Sequence, residues 1–172
     1  MKRFIPTIAL AVLMAGTSHA ANTQDQQAQI KKMQETQAKM MAAMMTEMKS
    51  RLGFKETISA LQEAAKKRGW RVGQATDMQE AMIKAGQKNA KPFTVLPMCK
   101  QDLAESLLKA QAEQKAMPFA PCRMSVFEGA DGKVYIAKPN TELWAQMATP
   151  VFTPLLKKFV EEEKAVLANI AE

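Results

Sequence analysis

The first twenty residues have the composition of a signal peptide, and they determine which part of the chain is left to fold. Lys2 and Arg3 form a short positive region, residues 4–15 are almost wholly apolar, and Ser18 and Ala20 place small residues where a signal peptidase reads. The apolar run is about half the roughly 20 residues that a membrane span needs, and it contains Pro6. The pattern predicts a cleavable signal peptide, residues 1–20, and a periplasmic or secreted chain with no membrane insertion after cleavage.

Cleavage changes the chemistry that the chain has available. His19 is the only histidine, so the mature chain would lack Ser-His and Cys-His catalytic pairs and imidazole metal sites. Loss of Lys2 and Arg3 lowers the formal net charge from +7 to +5, without the dense basic clusters that are typical of nucleic-acid binding. The sequence therefore predicts a non-enzymatic protein with no catalytic residues and no nucleic-acid partner.

Composition divides the mature chain into an arm, a domain and a final helix. Residues 21–42 are rich in Gln and Met and predict a helical arm. Residues 43–148 predict an α+β domain that begins with a strand, although the methionine cluster of residues 40–48 favours a helix by propensity. Thr153 and Pro154 are typical of a helix start, so residues 149–172 predict a C-terminal helix packed on the domain.

Within the domain, helical and strand patterns alternate before a final hairpin. Apolar residues recur at helical spacing after Gly53 and predict a helix with Gly69 as its C-terminal cap. Asp77 and Glu80 form a capping box for a second, short helix. Strands are predicted over 70–75 and 93–98, a second amphipathic helix over 102–114, and a β-hairpin over 123–128 and 133–138. The fold class predicted is α+β, a two-layer α/β sandwich with a small, mostly antiparallel sheet.

Several short motifs also occur together between Gly53 and Met147. They are Gly53–Thr57, Lys67–Trp70, Pro97–Cys99, Pro121–Phe127, Asp131–Ile136 and the single residue Asn140. Collectively they resemble the exported, cysteine-containing branch of the family catalogued as domain of unknown function 302. The resemblance implies a two-layer α/β fold, a homodimer and a first strand just before Gly53, and it assigns no activity.

Two cysteines, Cys99 and Cys122, remain after cleavage. In an oxidising compartment they favour a structural disulfide, and antiparallel neighbouring strands would bring their ends together. A second interpretation gives the pair a thiol-disulfide redox role, because Cys99 lies beside Lys100 near the start of a predicted helix, where a thiol pKa would be lowered. The pair lacks the close C-x-x-C spacing of dithiol oxidoreductases.

The methionines offer a third chemistry. Met40, Met44 and Met48 recur at i,i+4, as do Met41 and Met45, and would form a ladder on a helix. Because thioethers are soft ligands, Met98, Met117 and Met124 near the cysteines make a Cu(I) or haem site conceivable. Methionine is nevertheless more often a flexible core residue, so no metal or cofactor is predicted first.

Three hypotheses remain open from the sequence. The first is a periplasmic, non-enzymatic binding or accessory domain, homodimeric and held by a Cys99–Cys122 disulfide. The alternatives are a redox protein that uses this pair and a copper or haem carrier. Trp70 and Trp144 are interpreted as core or interface residues, not as ligand platforms.

Overall fold

The computed structural model describes residues 17–116 and 119–172. It contains, in chain order, α1 (Thr17–Ala43), β1 (Met45–Lys49), α2 (Phe54–Lys67), β2 (Arg71–Val72), β3 (Thr76–Asp77), α3 (Met78–Lys84), β4 (Phe93–Cys99), α4 (Gln101–Glu113), β5 (Arg123–Glu128), β6 (Val134–Pro139), α5 (Thr141–Met147) and α6 (Thr153–Leu167). The described residues form two compact units, the first ending at Met41 and the second spanning Ala42–Glu172. Of the predicted signal peptide, residues 1–16 lie outside the described residues.

The first unit consists of most of α1. Every described side chain of this helix, from residue 26 to residue 43, is exposed. The helix ends at Ala43 and β1 begins at Met45, which is where the sequence predicts the change from arm to strand. The predicted methionine ladder is wrong, because this boundary separates Met44 from Met48 and Met41 from Met45. Side chains four residues apart do not stack once the backbone becomes extended.

The second unit is built on a six-stranded antiparallel sheet. Its order is β1-β6-β5-β4-β2, and the short β3 also pairs with β4. The predicted strand over 70–75 is shorter in the structure, because only Arg71 and Val72 pair with β4 before the chain turns. The predicted hairpin is β5–β6, and its turn places Gly132 at a φ of 74°, a conformation that favours glycine. The predicted α+β fold class is confirmed.

One face of the sheet carries the main core. Leu96, Val126 and Ile136 from three neighbouring strands are fully buried beneath α2, which contributes Leu61 and Ala65. The amphipathic spacing of α2 thus buries one face, while Gly69, at a φ of 72°, follows the helix end. The end of α6 joins this core through Val166 and Leu167, and Ile170, which follows the helix, also belongs to it.

A second, smaller core lies where α4, α5 and α6 meet. Its buried residues are Ala104 and Leu107 from α4, Ala145 from α5, and Leu156 and Phe159 from α6. Both cysteines, Phe119 and Trp144 pack against this cluster from outside. The helix α5 has no counterpart among the predicted elements, and it is this helix that brings Trp144 to the cluster.

Candidate functional site: an apolar groove beside the disulfide

The two cysteines join the end of β4 to the start of β5. Cys99 and Cys122 form a disulfide with an S–S distance of 2.01 Å and a Cα–Cα distance of 4.4 Å. The backbone N–H of Met98 donates to the carbonyl of Cys122 at 3.2 Å, so the strands also pair at this point. The disulfide therefore fixes the segment that leads into β5 against the start of α4.

A buried glutamine fixes the same segment from the other side. Gln111 on α4 is completely buried. Its Oε1 accepts from the backbone N–H of Phe119 at 2.8 Å, and its Nε2 donates to the carbonyl of Phe119 at 3.1 Å. Because both backbone groups of Phe119 are satisfied by one side chain, the position of this residue is set by α4.

Phe119 in turn meets Trp144 on α5. Their rings form an edge-to-face contact with centroids 5.1 Å apart and planes at 85°, a geometry that aromatic pairs prefer. The helix α5 starts at Thr141 because the Oδ1 of Asn140 accepts from the N–H of Leu143 at 3.1 Å.

Asn140 also holds the chain on the opposite side of α5. Its Nδ2 donates to the carbonyl of Ala43 at 2.9 Å, and its backbone N–H donates to the carbonyl of Met44 at 2.8 Å. One asparagine therefore places the start of α5 and the residue before β1 relative to each other. This contact gives a structural reason for Asn140, which the sequence comparison singled out without a role.

These elements enclose an open groove with a volume of ≈ 470 Å³. This volume is within the range of small-molecule sites. None of the described residues that line the groove is charged, and Thr149 is the one hydroxyl among them. The lining residues are Met44, Phe119, Trp144, Met147, Ala148, Thr149, Phe152 and Leu156.

Two side chains of the groove have unusual surroundings. Met147 exposes 61% of its surface although it is apolar. Within the described part of the chain, the indole Nε1 of Trp144 is the one buried side-chain polar atom without a hydrogen-bond partner. A buried donor without an acceptor costs about 1–3 kcal/mol. The groove therefore combines an exposed apolar side chain with a buried donor that has no partner in the described structure.

A smaller cavity of ≈ 220 Å³ lies between β1, β6 and α6 and contains a buried ion pair. Lys138 Nζ donates to Glu163 Oε2 at 2.8 Å and to the carbonyl of Pro139 at 3.1 Å. Thr141 Oγ1 bonds Glu163 Oε1 at 3.0 Å. Desolvation raises the pKa of Glu163 above its usual value, although Lys138 and Thr141 act in the opposite direction. These polar groups satisfy one another, so the ion pair ties α6 to β6.

The sequence-predicted soft ligands are not gathered at one place. Met98 and Met124 lie in the main core, where each is at most 2% exposed. Met40 is on the exposed arm, and Met48 packs at the edge of the main core. Met117 lies outside the described residues. Over residues 17–116 and 119–172, no group of three or more His, Cys, Asp or Glu side chains is arranged to hold a metal.

The disulfide and its surroundings also bear on the predicted redox role. Cys99 is followed by Lys100, the residue that precedes α4. The ammonium of Lys100 bonds the carbonyl of Arg68 at 3.2 Å and lies 3.6 Å from Asp102. Its charge is therefore shared with a carbonyl and a carboxylate, while the two cysteine sulfurs are bonded to each other.

The sheet face opposite the main core forms a second apolar surface. Phe93, Phe127 and Tyr135 are register partners on three neighbouring strands, with ring centroids 6.5 Å and 5.7 Å apart. The nearby helix α3 contains no buried residue, although it carries Met78, Met82 and Ile83. We call this surface, formed by the three aromatic residues and α3, the open sheet face.

Among residues 17–116 and 119–172, no helix combines the length and the apolar composition needed to cross a bilayer.

The described fold is an α+β domain with an uncharged groove and a disulfide beside it. The domain of unknown function DUF302 matches residues 46–170. The chain belongs to this family.

Solved structures agree with the fold. The crystal structure of an uncharacterized conserved DUF302 protein from Bacillus stearothermophilus superposes with a TM-score of 0.62 at 23% sequence identity, covering 73% of this chain and 97% of that one. At this identity the similarity shows the fold alone. No curated protein matches the sequence.

Proposed function

We propose that the chain is an exported, non-enzymatic binding domain that holds an apolar ligand in the groove beside the disulfide. The observation that carries the proposal is the groove itself, whose described lining is uncharged and includes Phe119, Trp144 and Phe152. Its walls come from three separated parts of the chain that Gln111, Asn140 and the disulfide hold in place. A groove fixed in this way is available to a ligand without ordering its walls first.

A neutral hydrophobic dye tests the proposal directly. Nile red should bind the folded mature chain with one site, and Ala148→Leu, which adds a larger side chain to the groove wall, should weaken binding at least tenfold. Ala112→Leu is the matched control, because it makes the same change at an exposed position of α4. Equal dye binding by both variants and the wild type would contradict the proposal.

The thiol-disulfide role stays as an alternative, favoured by one observation. Cys99 lies two residues before the first residue of α4, and both cysteines are only partly buried. An equilibrium titration with dithiothreitol measures the reduction potential of the pair. A potential well below about −300 mV marks a structural disulfide and removes this alternative. A potential near that of cellular dithiols would support it.

We also propose that the chain is a homodimer joined through the open sheet face. The partner that we favour on this face is a second copy of the chain. The apolar centre of the face has charges of both signs at its edge, Glu47 and Arg123 among them. Two copies related by a twofold axis can therefore pair opposite charges. Light scattering during gel filtration should show a dimer that Phe127→Asp converts to a monomer. Leu108→Asp, which changes an exposed leucine on α4, should stay dimeric.

A further inference from the structure

We propose that the groove selects an uncharged molecule with an apolar body and one hydrogen-bond acceptor, and that this acceptor bonds the indole N–H of Trp144. The inference rests on the proposed function and names the chemical class of its ligand. It follows from two properties of the groove. Its described lining contains no charged residue, and the buried indole N–H of Trp144 has no hydrogen-bond partner in the described structure.

The lining excludes charged ligands. The described lining residues include neither a carboxylate nor a cation. A charged group brought into an apolar groove loses its hydration and finds no partner there, which is far more costly than moving a neutral polar group. Molecules whose charged group would have to enter the groove are therefore poor ligands, whereas neutral esters, ketones and alcohols with an apolar body can enter.

The free donor favours one acceptor on the ligand. Trp144 lines the groove, and its Nε1 is buried without a partner in the described structure. This atom is buried in the structure without a ligand, so the proposed bond requires the indole ring to rotate as the ligand enters. The other indole, that of Trp70, already donates to Glu162 Oε2 at 3.3 Å. Trp144 is thus the donor that gains a bond when an acceptor arrives.

Two exposed methionines explain how bodies of different shape can fit. Met44 and Met147 lie in the groove lining, and both expose more than a third of their surface. Methionine side chains are unbranched and flexible, and they adapt to irregular apolar partners. The part of the groove that a neighbouring segment holds in place is therefore Phe119, whose backbone is bonded to Gln111. The shape of the apolar body is less strictly selected than the acceptor.

A matched series of naphthyl compounds tests the inference by calorimetry on the mature chain. Naphthalene has no acceptor, 2-acetylnaphthalene adds one neutral carbonyl, and 2-naphthoate adds a charge to the same body. We expect 2-acetylnaphthalene to bind about fivefold more tightly than naphthalene, the effect of one net hydrogen bond, and 2-naphthoate to bind at least tenfold more weakly than 2-acetylnaphthalene.

Two variants assign the effect to its donor. In Trp144→Phe the fivefold preference for 2-acetylnaphthalene over naphthalene should disappear, while Trp70→Phe, the matched control, should keep it. A preference that survives in Trp144→Phe overturns the role of the indole, and binding of 2-naphthoate equal to that of 2-acetylnaphthalene overturns the selection against charge. If naphthalene and 2-acetylnaphthalene both fail to bind the folded wild type, the proposed function itself is wrong.

Discussion

Single polar side chains that are buried or partly buried carry much of the organisation of this domain. Gln111, Asn140 and Glu163 each satisfy two groups from other segments. Buried hydrogen bonds of this kind contribute modestly when they are made but are costly when one partner is removed. Substitutions at these three residues should therefore lower the unfolding free energy of the domain more than substitutions of exposed polar residues do.

Glu163 gives a pH-dependent prediction. Desolvation raises its folded pKa above the usual 4.5, so the folded state holds the proton to higher pH than the unfolded chain does. Its contribution to stability is complete below the unfolded pKa and is lost as pH rises through the folded pKa. The unfolding free energy of the wild type minus that of Glu163→Gln should therefore fall as the pH rises above about 4.5 in urea titrations.

The substitution with glutamine is chosen so that the contacts of residue 163 with Lys138 and Thr141 change as little as possible. Glu163→Gln keeps one acceptor oxygen for Lys138, and its amide nitrogen can donate to the hydroxyl of Thr141, so the difference between the two proteins reports mainly the charge. A difference that increases with pH would mean that the attraction of Lys138 exceeds the desolvation of the carboxylate. Replacing both members of the pair with apolar residues of similar volume is expected to cost little, as for other buried ion pairs.

Gln111→Ala should destabilise the domain by about 2–3 kcal/mol. The change leaves the backbone N–H and carbonyl of Phe119 without their partner and opens a small cavity beside Leu107 and Phe119. Chemical denaturation measures the effect, and Gln101→Ala at the exposed start of α4 should change stability by less than about 0.5 kcal/mol. If the two variants are equally stable, Gln111 does not hold the groove wall.

At the scale of elements, the sequence predicts long elements well and short ones poorly. The amphipathic spacing of α2 and α6 extends over several turns and identifies both helices, and two cysteines leave one intramolecular pairing. The helix α5 has seven residues, too few for a clear period, although Asn140 and Glu142 are residues typical of a helix start. Trp144 packs against the second core, in agreement with its interpretation as a core residue, and α5 also places it beside the groove.

The groove was not predictable for a related reason. Its lining comes from the residue before β1, the segment after α4, α5 and the start of α6, which only the tertiary fold brings together. Met147 and Phe152 each appear in the sequence as ordinary apolar residues near a loop. The sequence signal that could have indicated a site is the density of large apolar residues between α5 and α6, where a connecting loop is usually polar.

The disulfide joins the end of β4, just before α4, to the start of β5. Replacing both cysteines with serine should lower the unfolding free energy by about 3 kcal/mol in the loop-entropy description. Dithiothreitol should lower the stability of the wild type by a similar amount and leave the double variant unchanged. A double variant as stable as the oxidised wild type would show that the bond has no structural role, which would favour the redox alternative.

At the scale of the whole molecule, the second unit should be independent of the arm. The described side chains of α1 are exposed from residue 26 to residue 43, so we expect them to contribute little to the stability of the second unit. A chain that begins at Ala42 should melt within about 2 °C of a chain that begins at Ala21 in calorimetry, as expected for a loss of well under 1 kcal/mol. A drop of 10 °C or more would show that the arm stabilises the domain.

The order of strands in the sheet also determines when the sheet can be completed. Met48 on β1 pairs with Ile136 on β6, so β1 can join the sheet only after β6 has formed. In contrast, β5 and β6 are joined by a short turn. Closing so long a loop is slow compared with forming a hairpin. The central strands should therefore gain amide protection first during refolding, and β1 should be the last strand to dock and the first to detach.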